Sequence, residues 1–151
     1  MSPALLLLLV PIAILVGCLQ PTQAGINATL ARHYPHPLFA ALTNTLVASL
    51  AVLAAMLVLR VRAPDMRDLA AAPWWSWLGG VLGGTSVVSA ILLAPRLGAA
   101  PYVSALLVGT VAASLVLDHF GLIGFREHPV NAWRLLGGAL VVTGMLLVQT
   151  H

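Results

Sequence analysis

Charge is scarce in this sequence, and one kind of charge is missing. Only 7% of the 151 residues are charged, and there is no lysine, so all seven basic side chains are arginines. Hydrophobic residues make up 60% of the chain and the mean hydropathy is +1.01, far from the balance of soluble domains. A single cysteine excludes an intramolecular disulfide. The composition argues against a soluble domain and predicts an integral membrane protein.

Five long hydrophobic runs fill the chain. About 20 apolar residues suffice to cross the hydrocarbon core as a helix, and only helices or closed barrels satisfy the backbone in lipid. Barrel strands alternate apolar and polar residues, whereas these runs are apolar at consecutive positions. We therefore predict an all-α fold, a single five-helix transmembrane domain over residues 1–151. The spans are predicted at residues 4–30, 38–60, 74–94, 99–118 and 132–149.

The connections between these runs are short and rich in proline and glycine, which end helices. One of them is predicted over Pro95 to Pro101. Trp74, Trp75 and Trp77 open the third span, where aromatic rings are typical of the headgroup level. No connection is long enough to hold an extramembrane domain.

The N-terminal run contains Leu15-Val16-Gly17-Cys18, which is similar to the lipidation box of a bacterial lipoprotein signal. A signal peptide carries a positively charged start, yet the first basic side chain is Arg32, and Pro11 interrupts the hydrophobic stretch. We expect Cys18 to be a small residue in a helix; processing at this cysteine stays open.

Arginine is distributed unequally between the two membrane faces that five spans define. One face carries two arginines, Arg32 and Arg96, and the other carries five: Arg60, Arg62, Arg67, Arg126 and Arg134. By the positive-inside rule the richer face, which also holds the N-terminus, is predicted to be cytoplasmic. The opposite or a dual orientation stays open. The basic excess is thus an indicator of orientation, and no basic patch points to nucleic acid.

Polar side chains at membrane depth are candidates for function because they cost free energy there. Gln23 and Asn27 share one face of the first span, and Asn44 lies in the second. Thr110 and Ser114 lie one turn apart in the fourth span. We expect these five residues to line a polar cavity that binds substrate; interhelical hydrogen bonding is the alternative.

Glycines indicate close helix packing. Overlapping small-residue pairs of the GxxxG type occur in the third span, and further glycines occur in the fifth span. The predicted packing glycines are Gly79, Gly80, Gly83, Gly84, Gly137 and Gly138. The partner helix could belong to the same chain or to a second one.

Arg96 and Asp118 flank the fourth span at opposite ends, so one straight helix cannot bring them together. In two copies of opposite orientation they reach the same membrane level, which would permit an ion pair between protomers. Asp118 and His119 are also the candidates for proton coupling, with helix capping as the alternative.

Several segments of the sequence together form a recognisable family pattern. They are Pro73-Trp74-Trp75, Leu78 to Gly83, Ala94 to Ala100, Ser114 to Gly124 with the Asp118-His119-Phe120-Gly121 block, and Arg134 to Gly137. Together these segments resemble the half-size YdcZ-like branch of the drug/metabolite transporter superfamily. One departure is Gly109-Thr110, where the family pattern leads us to expect Gly-Gln.

The resemblance implies a bacterial inner-membrane transporter of five spans that works as half of an antiparallel ten-helix dimer. Its partner would be a second copy or a sister protein of opposite orientation, and its substrate an unidentified small molecule. Inverted repeats place such a binding site near the bilayer midplane. A dual-topology channel and a non-transporting subunit are the alternatives.

No catalytic motif, phosphate loop or metal-spaced set of Cys and His occurs in the sequence. His33 and His36 alone are a weak signal for a metal. We therefore predict no enzyme activity, no cofactor and no metal.

Overall fold

The computed structural model of the protein describes residues 3–150, without the side chains of residues 3, 4, 6 and 68. Over that range the regular elements are all helical, which confirms the predicted all-α fold. The α-helices are α1 (Pro3–Gly17), α2 (Leu19–Ala31), α3 (Pro37–Val58), α4 (Met66–Ala71), α5 (Leu78–Leu97), α6 (Ala99–Phe120) and α7 (Ala132–Thr150). Short 3-10 turns occupy Trp74–Trp77 and Leu122–Gly124.

Among the described residues, five helical segments are long and apolar enough to cross a membrane, as the sequence predicts. They are Leu7–Ala31, Pro37–Val58, Trp74–Leu97, Ala99–Phe120 and Ala132–Thr150. Only 0–11% of the residues in each apolar window are buried inside the protein. Nearly all of the apolar surface of the spans is therefore left for lipid or for partner helices.

The first span consists of two helices that meet at Cys18. The N–H of Cys18 still donates to the carbonyl of Ile14 at 3.1 Å, so the apolar segment continues through the junction. Pro21 has no N–H to donate to the carbonyl of Gly17, and its ring crowds that carbonyl. The break thus has a local cause in the sequence.

The third and fourth spans are joined more tightly than predicted. Pro95 lies inside α5, which continues to Leu97, and α6 begins at Ala99. Gly98 alone links them with a φ of +91°, which glycine adopts at little cost. A proline in the last turn leaves few residues beyond it to be disturbed, so α5 extends past the predicted end at residue 94.

Helix α3 ends in a Schellman motif that lacks glycine. The N–H of Val61 donates to Met56 O at 2.9 Å, and the N–H of Arg60 donates to Leu57 O at 3.2 Å. Arg60 itself takes the left-handed conformation with a φ of +50°. An L-residue with a Cβ is strained in that region.

The chain divides into two compact units, Thr22–Arg96 and the combination of Met1–Pro21 with Leu97–His151. We call the first the α2–α5 unit and the second the α6–α7 unit. In the α2–α5 unit a small core surrounds Ala40, Ala41 and Ile91, with partly buried side chains packed against it. Those side chains are Leu30, Ala31, Val87 and Val88.

Helix α7 packs against α6 at a glycine. A Cβ added to Gly138 would lie 3.5 Å from Leu115 Cδ1 and 3.9 Å from Val111 Cγ1. Both are ordinary van der Waals distances, so Gly138 allows a close approach of the two helices.

Candidate functional site: amides at membrane depth and a closed ion pair

Two of the predicted substrate residues meet in the α2–α5 unit. Gln23 Nε2 on α2 donates to Asn44 Oδ1 on α3 over 3.4 Å. Gln23 lies eight residues before the end of α2 and Asn44 seven residues after the start of α3. At 1.5 Å per residue both amides lie about 10 to 12 Å from the ends of their helices. With the helix ends at the boundary of a hydrocarbon core about 30 Å thick, both amides would lie well inside it.

Asn27 lies one turn from Gln23 on α2, so the two share a helix face. It is the one buried polar residue among the described residues, and only 4% of its surface is exposed. Its side chain forms no hydrogen bond within the described part of the chain, and no fully enclosed polar atom there lacks a partner. The amide of Asn27 therefore lies in a narrow space, and its polar atoms are still accessible from outside the protein.

A second polar contact lies nearer the α2–α3 connection. Tyr34 Oη and Thr43 Oγ1 are 3.1 Å apart, and the Thr43 hydroxyl also donates to Phe39 O at 2.9 Å. The rings of Tyr34 and Phe39 lie 6.2 Å apart at 46°. Thr43 and Asn44 are consecutive on α3 and therefore point to different sides of the helix, so we keep the term amide patch for Gln23, Asn27 and Asn44.

Thr110 and Ser114 lie on α6, in the α6–α7 unit, and both are exposed. The Thr110 hydroxyl donates to Leu106 O at 2.8 Å, within its own helix. Such back-bonding satisfies the donor of a hydroxyl and leaves its lone pairs available. The prediction that these residues share a cavity with Gln23, Asn27 and Asn44 stays a prediction.

Asp118 has a partner that the sequence pattern did not reveal. Arg134 Nη2 donates to Asp118 Oδ2 at 2.6 Å, which joins the end of α6 to the first turn of α7. The two side chains are 25% and 32% exposed, Asp118 being the more buried. From the sequence we considered only charges at the two ends of the fourth span, and Arg134 lies on the next helix.

The connection from α6 to α7 closes around this ion pair. Arg134 Nη1 donates to His128 O at 2.7 Å, and the N–H of His128 donates to Asp118 O at 2.7 Å. Gly121 turns the chain away from α6 in the left-handed conformation, with a φ of +59°. Asn131 Oδ1 then accepts the N–H of Arg134 at 2.9 Å and caps α7.

His119 takes part in the same connection. Its Nδ1 accepts the backbone N–H of Val130 at 3.1 Å, and its ring meets Phe120 edge-on with centroids 4.6 Å apart. Arg96 is exposed in the last turn of α5, in the α2–α5 unit. The predicted pairing of Arg96 with Asp118 between protomers and the predicted proton coupling are untested.

The predicted packing glycines differ in what surrounds them. A Cβ at Gly138 would touch α6, whereas a Cβ at Gly137 would meet nothing within 4 Å among the described residues. The same open space surrounds all four glycines of the third span: Gly79, Gly80, Gly83 and Gly84. Within the α2–α5 unit, no helix approaches these glycines closely.

Two shallow grooves along single helices carry hydroxyl groups. One of about 410 Å³ on α3 includes Thr45 and Ser49, and one of about 380 Å³ on α5 includes Thr85 and Ser89. We did not select Thr85 and Ser89 from the sequence, although their spacing of four residues is the signal that singled out Thr110 and Ser114.

A comparison with known protein families identifies the family of the chain. A family model described as "Putative inner membrane exporter, YdcZ" matches residues 8–147. No curated protein and no solved structure matches the chain. The family description, together with five apolar spans, supports a multi-pass inner-membrane protein that transports rather than catalyses. Because the match covers nearly the whole sequence, the chain belongs to the YdcZ family of the drug/metabolite transporter superfamily.

Proposed function

We propose that the protein exports a small molecule across the inner membrane, through a cavity that it forms with a second, oppositely oriented chain. The observation that carries this proposal is the amide pair of Gln23 and Asn44, which lies at membrane depth in a member of an exporter family. Polar side chains at that depth cost free energy, so their presence there indicates a transport pathway or a contact between helices.

The antiparallel arrangement is supported by the count of the spans and by the surface of the protein. Five spans are an odd number, so the inverted symmetry typical of transporters requires a second chain. The side of α5 where a Cβ at Gly80 or Gly84 would meet nothing within 4 Å among the described residues suits a closely packed partner helix. A second copy or a sister protein would fill that role.

The orientation with a cytoplasmic N-terminus belongs to the same proposal. Its support is the arginine bias, which includes Arg60 and Arg62 after α3. Arg134 contributes less to this orientation bias than an arginine in a loop would, because its guanidinium is paired with Asp118.

A transport assay with a broad mixture of solutes tests the function. Proteoliposomes are loaded with a mixture of bacterial small molecules, and mass spectrometry identifies those that leave faster than from protein-free vesicles. We expect saturable efflux of a narrow set of compounds. Rapid, unselective and non-saturating loss would indicate a channel instead, and loss equal to that of empty vesicles would indicate a non-transporting subunit.

Topology reporters test the arrangement independently of transport. The C-terminus is fused in parallel to green fluorescent protein, which fluoresces in the cytoplasm, and to alkaline phosphatase, which is active outside it. Activity of both fusions indicates dual orientation and pairing with a second copy. Phosphatase activity alone fits a fixed orientation with a sister partner, whereas fluorescence alone would place the N-terminus outside and contradict the proposed orientation.

A further inference from the structure

We infer that the transported solute is an uncharged molecule that both donates and accepts hydrogen bonds, and that Gln23, Asn27 and Asn44 supply its polar contacts. This inference rests on the proposed export function and adds the chemical class of the substrate.

The first argument is the balance of charge in the spans. Asp118 and Arg134 form a closed ion pair, so neither offers a net charge to a solute. Arg96 lies in the last turn of α5, where a long side chain extends its guanidinium toward the interface. The spans Leu7–Ala31 and Pro37–Val58, which hold the three amides, contain no Asp, Glu, Lys or Arg.

The second argument is the unused hydrogen-bonding capacity of the amides. An amide side chain has two N–H donors and an oxygen with two lone pairs. The Gln23–Asn44 contact uses one donor of Gln23 and one lone pair of Asn44. Asn27 is 4% exposed and uses none within the described residues. The patch therefore presents donors and acceptors together, without a net charge of either sign.

The third argument is the cost of desolvation. A charged solute that leaves water for a site without a counter-charge loses hydration that amide dipoles replace only in part, which weakens binding by roughly a hundredfold or more. An uncharged solute exchanges its hydrogen bonds with water for hydrogen bonds with the amides at little net loss. The patch thus favours uncharged molecules.

Three probes of one shape and different charge test this inference. Benzamide is neutral, benzoate is an anion and benzamidinium is a cation, and each carries a planar polar group on the same ring. Equilibrium dialysis against the purified full-length protein in lipid nanodiscs measures their binding. We expect saturable binding of benzamide and at least tenfold weaker binding of both charged probes.

A variant then tests whether the amide patch sets this preference. Asn44→Asp places a carboxylate in the patch and should reverse the preference toward benzamidinium by at least tenfold. Gln149→Glu, which adds the same charge at an exposed position near the end of α7, is the matched control and should leave the order unchanged.

Each other outcome overturns the inference. Equal or tighter binding of a charged probe by the unaltered protein would show that the site selects charge. An unchanged order in Asn44→Asp, or no saturable binding of any probe, would remove the amides as the contact. Saturable efflux of a charged compound in the export assay would overturn this inference and keep the exporter, whereas no protein-dependent efflux would end both.

Discussion

In the α6–α7 unit the charged side chains Asp118 and Arg134 are closed into a network, whereas in the α2–α5 unit the amides of Gln23, Asn27 and Asn44 keep hydrogen-bonding capacity to spare. Asp118 and Arg134 satisfy each other, and the backbone of His128 completes the ring. Gln23 and Asn44 share a single contact of 3.4 Å. The difference indicates that the charged pair holds two helices together, while the amides keep donors and acceptors without a partner among the described residues, as the proposed solute site requires.

The largest effect is expected on removing the arginine of the closed network. Arg134→Ala leaves Asp118 without its counter-charge near the bilayer, and should lower the free energy of unfolding by about 2 kcal/mol. The loss is smaller than for a fully buried pair because both side chains are partly exposed. The loss is measured by unfolding in detergent, with tryptophan fluorescence as the probe.

The control is Arg126→Ala, which removes an exposed arginine from the same connection. It should change the unfolding free energy by less than about 0.5 kcal/mol. Equal losses in the two variants would mean that the ion pair does not stabilise the α6–α7 unit.

A second prediction concerns the open patch. Asn44→Leu removes the acceptor of Gln23 and should reduce saturable efflux about tenfold, the value of one good hydrogen bond, while the unfolding midpoint changes little. Ser49→Ala, on the same helix, removes a hydroxyl that donates to Thr45 O at 2.9 Å and should keep normal flux. If Asn44→Leu lowers the unfolding midpoint while the folded protein keeps normal flux, the amides stabilise the fold and do not contact the solute.

A third prediction compares two adjacent glycines of α7. Gly138→Leu places a bulky side chain against Leu115 Cδ1, 3.5 Å from the position of a Cβ, and should destabilise the protein by about 1 kcal/mol. Gly137→Leu enters open space and should leave the unfolding free energy unchanged. A similar loss at both positions would point to helix flexibility rather than to packing on α6.

The smallest effect is expected at the end of α3. Arg60→Gly relieves a left-handed conformation at φ +50°, which should stabilise the protein by about 0.5 kcal/mol after the extra freedom of glycine in the unfolded chain is included. Arg62→Gly, two residues later, removes the same charge without this benefit. The difference in unfolding midpoint between the two variants isolates the effect of relieving the backbone strain at residue 60.

The fold could be predicted because lipid leaves few alternatives to helices. Runs without charge marked all five spans, and the remaining differences are the ends of the spans and a break inside the first one. The extension of α5 past Pro95 depends on the φ of Gly98, and the break at Cys18 depends on the crowding of Gly17 by Pro21. Such details need the backbone conformation and not only the hydrophobic pattern.

The candidate site could be predicted in part. Gln23 and Asn44 were selected for their depth, and the structure brings them together. The pairing of Asp118 with Arg134 was missed because it depends on how the chain turns between α6 and α7. That turn requires the left-handed Gly121 and the capping Asn131, whose combined geometry a linear pattern does not show.

The ion pair between α6 and α7 also bears on how the chain enters the bilayer during synthesis. Asp118 leaves the ribosome 16 residues before Arg134, so the fourth span alone would expose an unbalanced carboxylate at the edge of the lipid. Once the fifth span emerges, the two helices can insert as a neutral hairpin. We therefore expect the fourth span to stay in the translocon until the fifth span has been synthesised.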